Sequence, residues 1–251
     1  MQLTALVTGA SAGFGTAITR RLVRDGHRVI AAARRLDRLQ DLARELGPAV
    51  MPVRLDVTDA AAVAALPGAL PDGWREVDVL VNNAGLALGL APAWQTDPED
   101  WERMVATNVT GLMRITRALL PGMVQRRRGH VVNISSIAAV SPYPGGNVYG
   151  ASKAFVLQFS LGLKADLIGT PVRVTDIEPG MVGGSEFSLV RFGGDAGRAD
   201  AVYAGTQPLM PEDIAEAVAW AIALPAHVNV NRLELMPTCQ APAGAAVKRQ
   251  S

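Results

Sequence analysis

The run Leu3–Thr8 (LTALVT) is mostly apolar and passes at once into Gly9-Ala10-Ser11-Ala12-Gly13-Phe14-Gly15. Three glycines in seven positions stop any extended strand. Apolar side chains then recur at helical spacing, at Phe14, Ile18 and Leu22, until Gly26 closes the repeat. Strand, glycine turn and helix in that order is the context that makes a glycine motif a nucleotide site. Gly9 permits the tight turn, Gly13 lets the backbone approach a ligand, and Gly15 lets the helix pack on the strand. Free N–H groups at the new helix start would then face a pyrophosphate. A purely structural turn explains Gly9, but not all three.

The alternation continues. Arg28–Ala33 (RVIAAA) predicts a second buried strand. A site for NAD usually ends this strand on Asp or Glu, which binds the ribose 2′-hydroxyl. Here Arg34 and Arg35 follow instead. Two guanidinium groups and no carboxylate suit a 2′-phosphate, so NADP is the expected cofactor. The plain alternative is a pair of solvated arginines opening a helix. Leu36, Leu39, Leu42, Ala43 and Leu46 form that helix's apolar stripe. Val50–Leu55 predicts a third strand, and Asp56, with Val57 beside it, is placed to meet an adenine; Asp56 could equally begin a turn.

An Ala-rich helix from Asp59 to Leu66 leads to a strand at Val77–Val81 and to Asn82-Asn83-Ala84-Gly85. Ligands bind at the C-terminal ends of strands in open α/β sheets, which makes Asn83 a candidate contact. Asp97-Pro98 opens a long helix running towards Met123, with Asn108 and Gly111 in its middle, either as a kink or as a polar site. Strands at Val131–Ser135, Val172–Glu178 and Arg232–Met236 complete the pattern. The expected fold is α/β: one doubly wound, Rossmann-type domain over residues 1–251, with seven parallel strands flanked by helices. Residues 181–207 hold six glycines and little periodic core, which predicts an irregular lid. Residues 238–251 predict a tail without regular structure.

The chemistry is expected between Ser136 and Lys153 (SIAAVSPYPGGNVYGASK). On a helix, Tyr149 and Lys153 are i,i+4 neighbours. An ammonium ~5 Å from a phenol favours the phenolate by about 3 kcal/mol at an effective dielectric of ~20. That would bring a phenol from ~10 towards neutrality as a general acid/base. Taken alone, the pair could be an ordinary helix contact; the nucleotide motif upstream gives it weight.

Composition removes other classes. The chain of 251 residues is 49% hydrophobic with net charge +1, which fits a globular protein with a sizeable core and points to no nucleic-acid partner. Cys239 is the sole cysteine and the three histidines are scattered, so no metal site is expected. The N-terminus lacks a basic, apolar leader, and no apolar run reaches the ~20 residues of a spanning helix. No membrane association and a cytoplasmic location are expected.

Taken together, T-G-x-x-x-G-x-G at Thr8–Gly15, Asn82–Gly85, Asn108, Ser136, Tyr149-x-x-x-Lys153 and Pro179-Gly180 resemble the short-chain dehydrogenase/reductase family. Stretches such as NNAGLALGLAP and VRVTDIEPGMVGGSEFSLVRFGGD are similar to its bacterial NADP-dependent 3-hydroxy acid dehydrogenases. Those oxidise L-allo-threonine and serine and reduce malonic semialdehyde; 3-hydroxyisobutyrate is a further substrate of the expected class. The resemblance implies Tyr149 as proton acceptor, Ser136 as hydrogen-bond donor to the same substrate oxygen, and Lys153 as partner of Tyr149 and the nicotinamide ribose. It implies that Asn108 holds a water linked to Lys153, that Pro179, Gly180 and Val182 border the nicotinamide, and that the protein is a homotetramer. Many members read P-G-x-V-x-T; here Gly183-Gly184 lead to Ser185, whose hydroxyl is expected to replace the threonine. Arg191, between Val190 and Phe192 on the lid, is the expected partner for a substrate carboxylate. Two alternatives stay open: a reductase for a bulkier carbonyl (steroid or acyl thioester), or a nucleotide-sensing regulator that has lost catalysis.

Overall fold

The computed structural model describes residues 2–242 and 247. Its first strand, β1 (Thr4–Thr8), is buried at every position. The second, β2 (Arg28–Ala33), is buried everywhere except its first residue. Unbroken apolar runs of this kind belong to parallel sheets covered on both faces. With β3 (Val50–Arg54), β4 (Val79–Asn82), β5 (His130–Ile134), β6 (Arg173–Pro179) and β7 (Arg232–Leu235) they form one seven-stranded parallel sheet, ordered β3-β2-β1-β4-β5-β6-β7. The chain winds outward from β1 to β3, then returns to β4 on the other side. That reversal opens a crevice at the C-terminal ends of β1 and β4, where ligands bind in such sheets.

Helices fill both faces. On one, Ile18 and Leu22 of α1 (Gly13–Arg24) and Leu39 of α2 (Leu36–Leu46) pack with Ile214, Val218 and Ile222 of α9 (Pro211–Ala223). On the other, Val63 and Leu66 of α3 (Ala60–Ala69) pack with Ile115, Leu119 and Met123 of α5 (Leu112–Gln125) and Leu163 of α6 (Asn147–Asp166). The remaining helices, α4 (Pro98–Val105), α7 (Phe187–Arg191) and α8 (Ala196–Ala201), lie near the crevice or along the segment after β6.

Two expectations need correction. The long helix from Asp97 is interrupted: α4 passes through a π-helical turn at Ala106–Gly111 before α5 begins. A β-carbon on Gly111 would lie 2.8 Å from Cγ2 of Val57, so this turn seats the helix against the loop after β3. Residues 181–207 are not irregular throughout, because they contain α7 and α8. The glycines that hid these helices separate them: Gly193 and Gly194 take φ of 62° and 96°, where only glycine is unstrained. The described residues 238–242 form neither helix nor strand, as expected of the tail, yet they are anchored. Gln240 accepts a hydrogen bond from the Met181 N–H at 2.7 Å and bridges to Val247; residues 243–246 and 248–251 lie outside the described residues.

The outer strand β7 carries little burial of its own and is tied to β6 by charge. Arg232 donates Nε and Nη2 to the two oxygens of Glu178, at 2.7 and 2.8 Å, and Glu178 is fully buried. Removing the arginine strands a buried carboxylate, which costs more than the pair gains. Arg232→Ala should therefore lower unfolding free energy by about 2 kcal/mol in urea titration. The double variant Glu178→Gln/Arg232→Gln should recover much of that loss. An Arg232→Ala protein as stable as the parent would show that β7 is held by its backbone alone.

Candidate active site

The glycine loop has room for a ligand and none for side chains. Gly9 takes φ of 67°, and a β-carbon there would lie 3.0 Å from the backbone of Ala84. A β-carbon on Gly15 would lie 2.3 Å from the carbonyl oxygen of Gly9, so only glycine lets α1 come this close to the turn. Gly13, with φ of 52°, faces Ser185. Ala10 is wholly buried under the loop. Asn83 staples the loop to the end of β4: its Nδ2 donates to the Thr8 carbonyl at 2.8 Å and its N–H to Oγ1 of Thr8 at 3.0 Å. Asn82 points the other way, into a buried chain of hydrogen bonds with Thr116 and Asn133, so it contacts no ligand.

A cleft of about 360 Å³ opens over this loop. Ser11, Ala12 and Phe14 line it beside Gly9 and Gly13. By sheet order, Arg34, Arg35, Asp56 and Val57 lie on the β2–β3 side and Tyr149 and Lys153 on the β5 side. The cradle fits a dinucleotide, with N–H groups at the start of α1, no β-carbons in the way, and cations at the ribose end. Asp56 does form the turn: its Oδ1 accepts from the N–H and hydroxyl of Thr58 at 2.9 and 2.8 Å, while the residue still borders the cleft. Arg34 makes no hydrogen bond or ion pair among the described residues. Arg35 donates Nε to Oγ of Ser11 at 3.2 Å and pairs through Nη1 with Glu186 at 2.8 Å. Arg38 pairs with the same carboxylate at 2.6 Å. Neither Arg38 nor Glu186 stands out in the sequence, since they lie 148 positions apart.

Helix α6 carries the expected pair, and burial governs both members. Lys153 is 6% exposed and donates to the carbonyl of Ile134 at 2.9 Å. Loss of hydration pushes its ammonium down to about 8, against the pull of Asp176. Tyr149 is pushed up to about 12, by burial first and by Tyr143, with Ser136 and Arg191 acting in the opposite direction. The expectation that Lys153 drags the phenol towards neutrality is not met. Desolvation wins, and the ammonium lies 5.8 Å from the ring centroid. The Ser136 hydroxyl accepts from the Ala138 N–H at 3.1 Å and makes a long contact, 3.4 Å, to the Pro179 carbonyl.

Asn108 sits in the π-turn, almost fully buried, and is committed to protein. Its Oδ1 accepts from the Leu86 N–H at 2.9 Å, and its Nδ2 donates to the Leu86 carbonyl and to Oγ of Ser152 at 2.9 and 3.0 Å. The side chain locks α6 to the loop after β4. Asp176 was missed. It accepts from Oγ of Ser135 at 2.5 Å, and burial raises its carboxyl to about 7. A lone Asp in an apolar strand gives no signal of its own.

Of the segment after β6, Ser185 lines the cleft, with its Oγ accepting from the Phe187 N–H at 3.3 Å. Pro179, Gly180 and Val182 do not line it; Val182 is buried in a bridge to Leu209, and the Gly180 N–H donates to Leu235. Helix α7 leans on the catalytic end: the Phe187 ring lies 5.8 Å from that of Tyr149. The Arg191 guanidinium lies over Tyr143 and Tyr149, 5.3 Å from each centroid, and donates Nη2 to the Tyr143 hydroxyl. Its Nε is buried without a hydrogen-bond partner among the described residues. Arg198 stacks on Phe192 at 4.5 Å, away from Tyr149. Among the described residues no cluster of His, Cys, Asp and Glu could hold a metal ion, and no helix is long and apolar enough to cross a membrane.

Residues 3–189 match the short chain dehydrogenase family. The NADP-dependent 3-hydroxy acid dehydrogenase YdfG of Salmonella typhi is 60% identical over 244 residues, covering 97% of this chain and 98% of that protein. Serine 3-dehydrogenase of Agrobacterium fabrum is 53% identical over the full length of both. Among solved structures, a closed form of serine dehydrogenase complexed with NADP+ superposes with a TM-score of 0.95 at 58% identity, covering 99% of this chain and all of that one. Likeness of this extent, in sequence and in backbone, assigns the fold and its crevice together: the protein belongs to the short-chain dehydrogenase family.

Proposed function

We propose that the chain is an NADP-dependent oxidoreductase that interconverts a small 3-hydroxy acid and its 3-oxo acid. Serine, L-allo-threonine and 3-hydroxyisobutyrate are the candidates in the oxidative direction and malonic semialdehyde in reverse. The observation that carries the substrate class is the Arg191 guanidinium. It is held over Tyr149 with a buried Nε that no group among the described residues satisfies. A carboxylate there supplies the missing acceptor, and pairing offsets the cost of desolvating both charges. An uncharged steroid or thioester would bring no negative charge to balance that buried guanidinium. Full-length relatives that act on 3-hydroxy acids and serine support the same reading, and both Tyr149 and Lys153 are present, which speaks against a regulator without catalysis.

When bound, the nicotinamide supplies the hydride acceptor. Tyr149 exchanges the proton of the substrate hydroxyl. Held as a phenol by burial, it is ready to donate to a carbonyl oxygen; to accept a proton it must first ionise. The charges of Lys153 and Arg191 and the hydroxyl of Ser136 favour that step. Lys153 also reaches towards the ribose, and Asn108 holds α6 so that Tyr149 and Lys153 face the crevice. Arg34 and Arg35 bind the 2′-phosphate, Ser185 borders the nicotinamide, and the segment over residues 181–207 acts as the substrate lid. A homotetramer in the cytoplasm completes the reading.

Absorbance at 340 nm with NADP should rise with 3-hydroxy acids and far less with their methyl esters. Arg191→Ala should cut kcat/KM for the acids by some thirtyfold or more, about 2–4 kcal/mol, while changing ester turnover little. Equal losses on acid and ester would make Arg191 a structural lid residue. Arg34→Ala with Arg35→Ala should weaken NADP strongly and NAD little, at about 1.5–3 kcal/mol per lost contact. Equal weakening of both cofactors would assign the arginines to the fold.

A further inference from the structure

The lid is fastened to the cofactor end of the crevice by one carboxylate. Glu186 immediately precedes α7 and receives Nη1 of Arg35 at 2.8 Å and Nη1 of Arg38 at 2.6 Å. Arg35 is itself oriented by Ser11 of the glycine loop. On the other side of Glu186, α7 carries Phe187 against Tyr149 and ends at Arg191, whose carbonyl accepts from the Gly89 N–H at 2.8 Å. Five residues thus separate the arginines of the ribose end from the guanidinium over Tyr149. Helix α7 is too short to hold itself in place, and its burial is slight apart from Ser188. Its position depends on what is fixed at its two ends.

We propose that Glu186 is a positioning residue, a latch that holds α7 and Arg191 over the substrate by gripping Arg35 and Arg38, at a cost to binding of the 2′-phosphate. This rests on the NADP and hydroxy-acid reading above. The cost follows from charge. Arg35 both lines the cleft and pairs with Glu186, so it is shared between a phosphate and a carboxylate, and the carboxylate's field opposes a phosphate placed beside it. The latch therefore pulls the two ligand affinities in opposite directions. Deleting its charge should loosen the lid, and so weaken the acid, while freeing Arg35 for the phosphate. A residue that merely stabilised the fold would weaken both.

The test is Glu186→Gln, a change of charge without change of shape at a partly exposed position, so folding is retained. Two measurements are made: the dissociation constants of NADP and NAD by protein fluorescence, without substrate, and kcat/KM for the 3-hydroxy acid at saturating NADP. Exposed ion pairs contribute modestly, so each effect should be about fivefold. NADP should bind about fivefold tighter with NAD unchanged, and kcat/KM for the acid should fall by at least as much. Weaker NADP binding, equal changes for NADP and NAD, or an unchanged kcat/KM would each overturn the latch. If the parent protein itself neither prefers NADP nor turns over hydroxy acids, it is the underlying reading that fails.

Discussion

The site depends on one ammonium taken out of water. Lys153 is buried on α6, held by the carbonyl of Ile134 at the end of β5, and its displacement to about 8 corresponds to a cost on the order of 3 kcal/mol. The surroundings are built to carry that charge. Asp176 lies in the neighbouring strand with its carboxyl bonded by Ser135, and its field opposes the desolvation of Lys153. Asn108 spans Leu86 and Ser152, so α6 cannot slide along the loop after β4. The π-turn that presents Asn108 needs Gly111 against Val57, which in turn sets the loop bearing Asp56. The ammonium, the π-turn and the ribose-side loop are one mechanical unit.

The same low-dielectric setting explains why the lid matters. Arg191 brings a second cation to the Tyr149 ring, and with Lys153 it leaves the closed site positive around a neutral phenol. On the proposed reading, a substrate carboxylate would neutralise part of that charge, acid and site would be complementary only with α7 seated, and Glu186 would tie that seating to Arg35 and Arg38.

The strand–glycine–helix opening, the seven strands and the Tyr149–Lys153 pair were legible in the sequence because each rests on local spacing. Periodicity does not report contacts between distant positions, and there the reading fell short. Arg38 and Glu186 meet across the crevice, Gln240 returns to clamp Met181, and Asp176 looks like any strand residue until Ser135 is placed beside it. Asn108 was readable as an anomaly in a helix, but its backbone partner Leu86 was not. Helices α7 and α8 were lost because five or six residues between glycines give no helical repeat.

The expectation for Tyr149 erred instructively: a pairwise charge argument counted the ammonium and omitted the loss of water around the phenol. The titration of that phenol is consequently the most direct test of the account. Phenolate absorbance near 295 nm, measured against pH for the parent and for Tyr149→Phe without ligands, isolates Tyr149 by difference. The account predicts no difference signal below about pH 10, because burial holds the group near 12. A phenolate appearing between pH 7 and 8 in the protein alone would contradict it, and would show that Lys153 and Arg191 outweigh desolvation before any ligand binds.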